Sequence, residues 1–198
     1  MNHKWGFLRE TKFIAEKAGK DADTGLHRNG LEEYLEAIFP DTTDWIHDKA
    51  LGKRDGKYFR NRPDYRSETL GLIVEVDGLP HYTKPDIIKK DINTNKLYEN
   101  FGYKVVRIPY FIQLSDNTVE TLFGVRVEEE LFDISIPSMG VKGKNTPAYL
   151  CTAGIKRMAK EFRAHPDQYK TNIEFLISQN DPFLSGVDLL IEEYNQFE

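Results

Sequence analysis

Cysteine is nearly absent from this chain, and its scarcity removes several classes of protein at once. The single Cys151 cannot close an intrachain disulfide, which suits a reducing cytoplasm, and it excludes a Cys-rich zinc site. Long apolar runs are missing too. None approaches the roughly 20 residues that span a bilayer, so no membrane association is expected. No apolar segment follows Met1-Asn2-His3-Lys4-Trp5, so no secretory leader is expected either. The chain contains neither an internal repeat nor a low-complexity linker. An excess of positive charge is also lacking. The net charge of -5 argues against a protein coated in bases to wrap nucleic acid. It leaves room for an enzyme whose site is itself a cluster of acids.

What is present describes a globular protein. At 198 residues, 39% hydrophobic and 30% charged, the chain can fill one core and carry a small appendage. Leu31, Leu35 and Ile38 recur at one-face spacing and predict a helix from about Asn29, closed by Pro40. Trp45 to Leu51 is an ambiguous strand. Tyr58 to Tyr65 and Leu70 to Asp77 predict two strands about the turn Ser67-Glu68-Thr69. A helix over 85–101 follows, with Pro85 early and Gly102 at its C-terminal cap. Tyr103 to Phe111 is then a Val- and Ile-rich strand reached by a helical crossover, so it should pair in parallel with a neighbour. Beyond it, 118–123, 146–163, 166–178 and 182–194 read as helical.

The chemistry gathers around the 70–77 strand. Glu75 and Asp77 are two residues apart, so their side chains leave the same face. Two carboxylates ending an apolar strand are expensive to bury without compensation, and a divalent cation with oxygen ligands is an efficient compensator. Asp64 ends the preceding strand and can be brought near Glu75 by the hairpin. Simple mirror pairing about residues 67–69 would instead oppose Asp64 with a residue nearer Leu72, so the register has to be asymmetric. Upstream, Lys49, Lys53, Arg54, Lys57, Arg60 and Arg62 crowd a stretch with Asp55 as its one acid. Such a run is often only a solvated surface, but this one leads directly into Asp64, as phosphate contacts would.

Taken in order, Pro63-Asp64, Glu75-Val76-Asp77-Gly78, His81, Asp91, Gly102 and Val105-Val106-Arg107-Ile108-Pro109 resemble the core of the PD-(D/E)XK nucleases. The nearest branch is that of the very-short-patch-repair endonucleases and their bacterial and viral relatives. The resemblance covers about residues 28–112. It implies an α/β, restriction-endonuclease-like core, αβββαβ, with a mixed sheet flanked by helices. Residues 1–27 then form an N-terminal extension, and 113–198 an accessory, mainly helical portion packed on the core. It also implies Mg²⁺ or Mn²⁺ at Asp64, Glu75 and Asp77, and hydrolysis of DNA phosphodiester bonds. The superfamily's usual Lys two residues after the second acid is replaced by Asp77. In the resembled branch that Asp is normal and a nearby His contributes, here His81, with Lys84 and Lys89 as alternative bases.

Three further residues carry expectations. Glu32 on the first helix is a candidate to complete the metal shell, although Asn29-x-x-Glu32 equally reads as a capping box. Asp91 and Arg107 fall among apolar neighbours, and buried charges need partners, so they should pair together or border the site. The expected DNA contacts are Lys53, Arg54, Lys57, Arg60 and Arg62. RNA cleavage at the same site, or nucleic-acid binding without cutting, are the alternatives. Whether the chain acts alone or as a homodimer is not written in its residues.

Overall fold

The computed structural model describes residues 31–127, 134–135, 137–140 and 146–196, except for the side chains of Glu32 and Glu33. The architecture is mixed α/β. It opens with helix α1 (Glu32–Ile38), followed by strand β1 (Ile46–His47) and the hairpin β2 (Gly52–Arg54) and β3 (Lys57–Phe59). Strands β4 (Tyr65–Ser67) and β5 (Leu72–Asp77) follow, then helices α2 (Pro80–Thr83) and α3 (Pro85–Asn100) and strand β6 (Lys104–Pro109). The rest is helical: α4 (Asp116–Phe123), a 3₁₀ turn at Pro147–Tyr149, α5 (Thr152–Arg163), α6 (Pro166–Ser178), α7 (Pro182–Ser185) and α8 (Val187–Asn195). Among the described residues, no helix is long and apolar enough to cross a membrane.

The main sheet has four strands in the order β1-β4-β5-β6. Strand β4 lies antiparallel to β5, whereas β6, reached through α3, runs parallel to it as the crossover requires. Alternation along the strands divides their side chains between two faces. Tyr65, Val74, Val106 and Ile108 pack with Leu31, Tyr34, Leu35 and Ile38 of α1 and with Val119 and Phe123 of α4. On the other face Ile73 packs with Tyr98 of α3, Leu51 and Tyr103. Glu75, Asp77 and Arg107 share that second face, so the polar side chains of β5 and β6 project toward α3.

Three expected elements break, and the helix expected over 146–163 is a 3₁₀ turn at Pro147–Tyr149 followed, after extended backbone at Leu150 and Cys151, by α5. The strand expected over 58–65 splits into β3 and β4, which belong to different sheets. Asp55 and Gly56 have φ of 46° and 79°, the paired positive values of a tight hairpin turn, and they close β2 on β3. Pro63 has no N–H to give a ladder, and the chain reaches the main sheet only after it. The helix expected over 182–194 is likewise two helices, α7 and α8, parted at Gly186 with φ +48°. A Cβ there would lie 2.4 Å from the Ala148 backbone nitrogen, so only glycine fits.

A second core joins the C-terminal helices to the sheet. Tyr82, Phe111, Met158, Phe162, Leu176 and Leu190 are buried together in it. Helix α5 crosses α2 so closely that a Cβ on Gly154 would lie 1.6 Å from the Tyr82 carbonyl oxygen. This closeness has a signed consequence. Glycine inside a helix costs about 1 kcal/mol relative to alanine, so on helix propensity alone Gly154→Ala would stabilise. The packing forbids it, because the obstacle is backbone. Gly154→Ala is expected to destabilise by about 3 kcal/mol, at the upper end of overpacking costs, as read by urea denaturation. A stabilised variant would show that α5 does not sit against α2.

Candidate active site

The β4–β5 register decides the placement of the first two acids. Tyr65 pairs with Val74 and Ser67 with Leu72, so the turn occupies residues 68–71 and Asp64 falls opposite Glu75. No asymmetry of register is needed, because the turn is centred later than the Ser67-Glu68-Thr69 expectation placed it. The Asp64 N–H donates to Glu75 Oε2 at 3.3 Å, and the Val76 N–H donates to Asp64 Oδ2 at 2.7 Å. Both carboxylates are raised above their ordinary range. Burial is the main cause for each. The neighbouring Asp64 charge adds to it for Glu75, which is pushed up to about 7, and Asp77 adds to it for Asp64. Tyr98 of α3 stands beside the pair, and burial together with the Glu75 charge raises its phenol above the ordinary range.

Asp77 meets cations of the chain itself. It is fully buried and engaged by two arginines. Arg107 Nε donates to Asp77 Oδ2 at 2.6 Å, and Arg157 Nη2 donates to the same oxygen. The two guanidinium groups also reach Asp91, from Arg107 Nη2 at 3.2 Å and from Arg157 Nη1 at 2.7 Å. Asp91 and Arg107 therefore both pair with each other and border the site. Asp64 and Glu75 thus stand together, and Asp77, on the same face of β5 as Glu75, balances two arginines.

His81 closes this network. Its Nδ1 lies 2.8 Å from Asp91 and 3.2 Å from Asp77. Burial opposes its charged form, but the hydrogen bond to Asp91 and the charges of Asp77 and Asp91 outweigh burial and raise its pKa above the ordinary value. The same contacts hold the Asp91 carboxyl down against its own burial, with Arg157 and Arg107 helping. Asp77, His81 and Asp91 each offer a ligand atom within 4.8 Å of the others, a spacing that could hold a metal ion. Two guanidinium groups already lie on those carboxylates, so a cation there would have to displace them.

One cleft of about 570 Å³ connects these groups to solvent. Asp64, Glu75, His81 and Tyr98 line it, with Arg60, Arg62 and Lys90. Of the expected basic stretch, only Arg60 and Arg62 reach this wall. Arg62 is bonded to Asp48, through its carboxylate at 3.0 Å and its carbonyl oxygen. Lys53 and Lys57 sit on the separate β2–β3 hairpin, and Arg54 is tied to Glu68 at 2.8 Å. Lys90 takes the place in the cleft suggested for Lys84 or Lys89. The Glu32 side chain lies outside the described residues.

Sequence reading missed Arg157, Lys90 and Tyr98. A helix phase could have found the last two, since Lys90, Asp91, Thr94 and Tyr98 recur at one-face spacing on α3. Arg157 gives no such signal, because it comes from a helix 80 residues after Asp77. Comparison of the chain with family models, curated proteins and solved structures finds no match.

Proposed function

We propose that this chain is a Mg²⁺- or Mn²⁺-dependent endonuclease that hydrolyses DNA phosphodiester bonds, built on a restriction-endonuclease-like core of the PD-(D/E)XK type. The observation that carries the reading is the Asp64–Glu75 pair. Two half-buried, adjacent carboxylates repel each other and open onto a cleft rimmed by Arg60, Arg62 and Lys90. Among the described residues, the hydrogen bonds of the pair come from the main-chain N–H groups of Asp64 and Val76, not from a cationic side chain. An all-oxygen donor set with no cationic side chain hydrogen-bonded to it fits a hard divalent cation.

Asp64 and Glu75 would hold that ion, which supplies polarisation of the phosphoryl group and a lowered pKa for bound water. The chain's own residues do the remaining work. Arg60, Arg62 and Lys90 are placed to hold non-bridging phosphate oxygens. Tyr98 lines the cleft beside Glu75. His81, whose pKa the Asp91 and Asp77 carboxylates raise, is suited to donate a proton to the departing oxygen rather than to take one from water. In this reading Asp77 orients His81 and Arg107.

A plasmid-nicking assay tests the proposal. Supercoiled DNA should be nicked or linearised with Mg²⁺ or Mn²⁺ and remain intact in EDTA. Cleavage of RNA alone would move the substrate. No cleavage of single-stranded, duplex or mismatched DNA, or of RNA, would leave a binding protein.

A further inference from the structure

The cleft is not the largest opening in the molecule. A groove of about 800 Å³ runs between α3 and α5. Ile88, Ile92 and Asn95 form its α3 wall, and Lys156 and Lys160 its α5 wall. Asp91 and Arg107 line both the groove and the cleft, so the two meet at the ion-pair network. On α3 the cleft takes residues 90, 91, 94 and 98, and the groove takes 88, 91, 92 and 95. These are neighbouring faces of one helix.

Its chemistry is specific. Helix α5 carries four basic residues and one acid, in a chain whose net charge is -5. Arg157 is committed to the network, and so is Glu161, through Arg157 and Tyr82. Lys156 and Lys160 are exposed, with no ion pair or hydrogen bond among the described residues. One helical turn separates them, about 6 Å along the axis. Opposite them Ile92 leaves 53% of its surface exposed. An apolar wall facing a row of free ammonium groups matches a polyanion with flat apolar faces.

We propose that this groove holds one strand of nucleic acid as it leaves the catalytic cleft, with phosphates on Lys156 and Lys160 and base faces against Ile88 and Ile92. A single strand is the fitting form, since only unstacked bases present their faces to a protein wall. The inference rests on the endonuclease reading and gives it a substrate path through the C-terminal helices.

The test measures binding of fluorescein-labelled oligonucleotides of roughly 12 nucleotides, single-stranded and duplex, by anisotropy in EDTA, where no cutting occurs. The wild type is compared with the double variants Lys156→Gln/Lys160→Gln and Lys156→Glu/Lys160→Glu. Single-strand affinity should fall at least 10-fold in the glutamate pair. The log–log salt slope should flatten by about 0.7 for each phosphate no longer neutralised, in both pairs. Circular dichroism and thermal midpoints should stay at wild-type values, because these side chains touch nothing that folds the protein. An unchanged slope in variants of a nuclease that cuts would overturn the groove and leave the endonuclease reading intact. A wild type that binds through these lysines and never cuts would leave the groove and remove the endonuclease. Absence of strand binding by the wild type would overturn the groove outright.

Discussion

Glu75→Gln is expected to abolish cleavage and, in the absence of metal, to make the protein more stable. The two effects have one cause. Burial and the Asp64 charge push the Glu75 carboxyl from 4.5 up to about 7. The folded state therefore keeps its proton to higher pH than the unfolded chain does. Stability from this group is complete below about pH 4.5 and is lost as pH rises through 7, by roughly 3 kcal/mol for a shift of this size. Glutamine never ionises, so between pH 5 and pH 8 the thermal midpoint of the variant should fall less than that of the wild type. Mg²⁺ should restore the wild type and release protons as it binds, and leave the variant unmoved. Cleavage should fall by about 10²–10⁴-fold or more, since an anionic ligand to the polarising ion has gone. A variant that cuts at the wild-type rate, or a wild-type midpoint indifferent to Mg²⁺, would remove the Asp64–Glu75 pair from the chemistry.

His81→Ala should separate catalysis from binding. The imidazole lines the cleft and holds Asp91 and Asp77 through Nδ1. As a proton donor it should contribute about 10²–10⁴-fold to the cleavage rate, with DNA affinity nearly unchanged. The pH dependence gives the sign. A histidine raised above its ordinary 6.5 adds stability that is complete below that value and is lost as pH rises through the folded pKa. The wild-type rate should decline across the same alkaline interval as the donor loses its proton, and His81→Ala should lack that decline. A variant with a lowered thermal midpoint but an unchanged rate per folded molecule would make His81 a packing residue.

The fold was legible where one segment's pattern settles its own environment. The run Leu72-Ile73-Val74 in β5, Pro85 and Gly102 at the ends of α3, and the crossover to a parallel β6 all follow from local chemistry. Glu75 and Asp77 do leave one face, as period-two alternation demands. Alternation does not say which cation each acid will meet. Arg107 meets Asp77 through parallel pairing, and Arg157 reaches both Asp77 and Asp91 from a helix whose arrival depends on one glycine. Long-range pairings of that kind leave no spacing in the sequence. The same holds for Arg54, which in one dimension belongs with Arg60 and Arg62 but in the fold faces Glu68. The Asp55-Gly56 turn explains the difference, since it folds the middle of the basic stretch into a hairpin of its own.

The position of Gly154 and Arg157 also bears on the order in which the molecule is finished. A ribosome delivers Asp64, Glu75, His81 and Arg107 well before residue 157. During that interval only Arg107 of the two guanidinium partners of Asp77 and Asp91 has been made, and the helix that will lie against α2 has not. The His81 wall is completed only once α5 has been made. Synthesis itself thus delays the appearance of a fully ordered proton donor, and a chain broken off before α5 would carry the carboxylate pair without its finished neighbour.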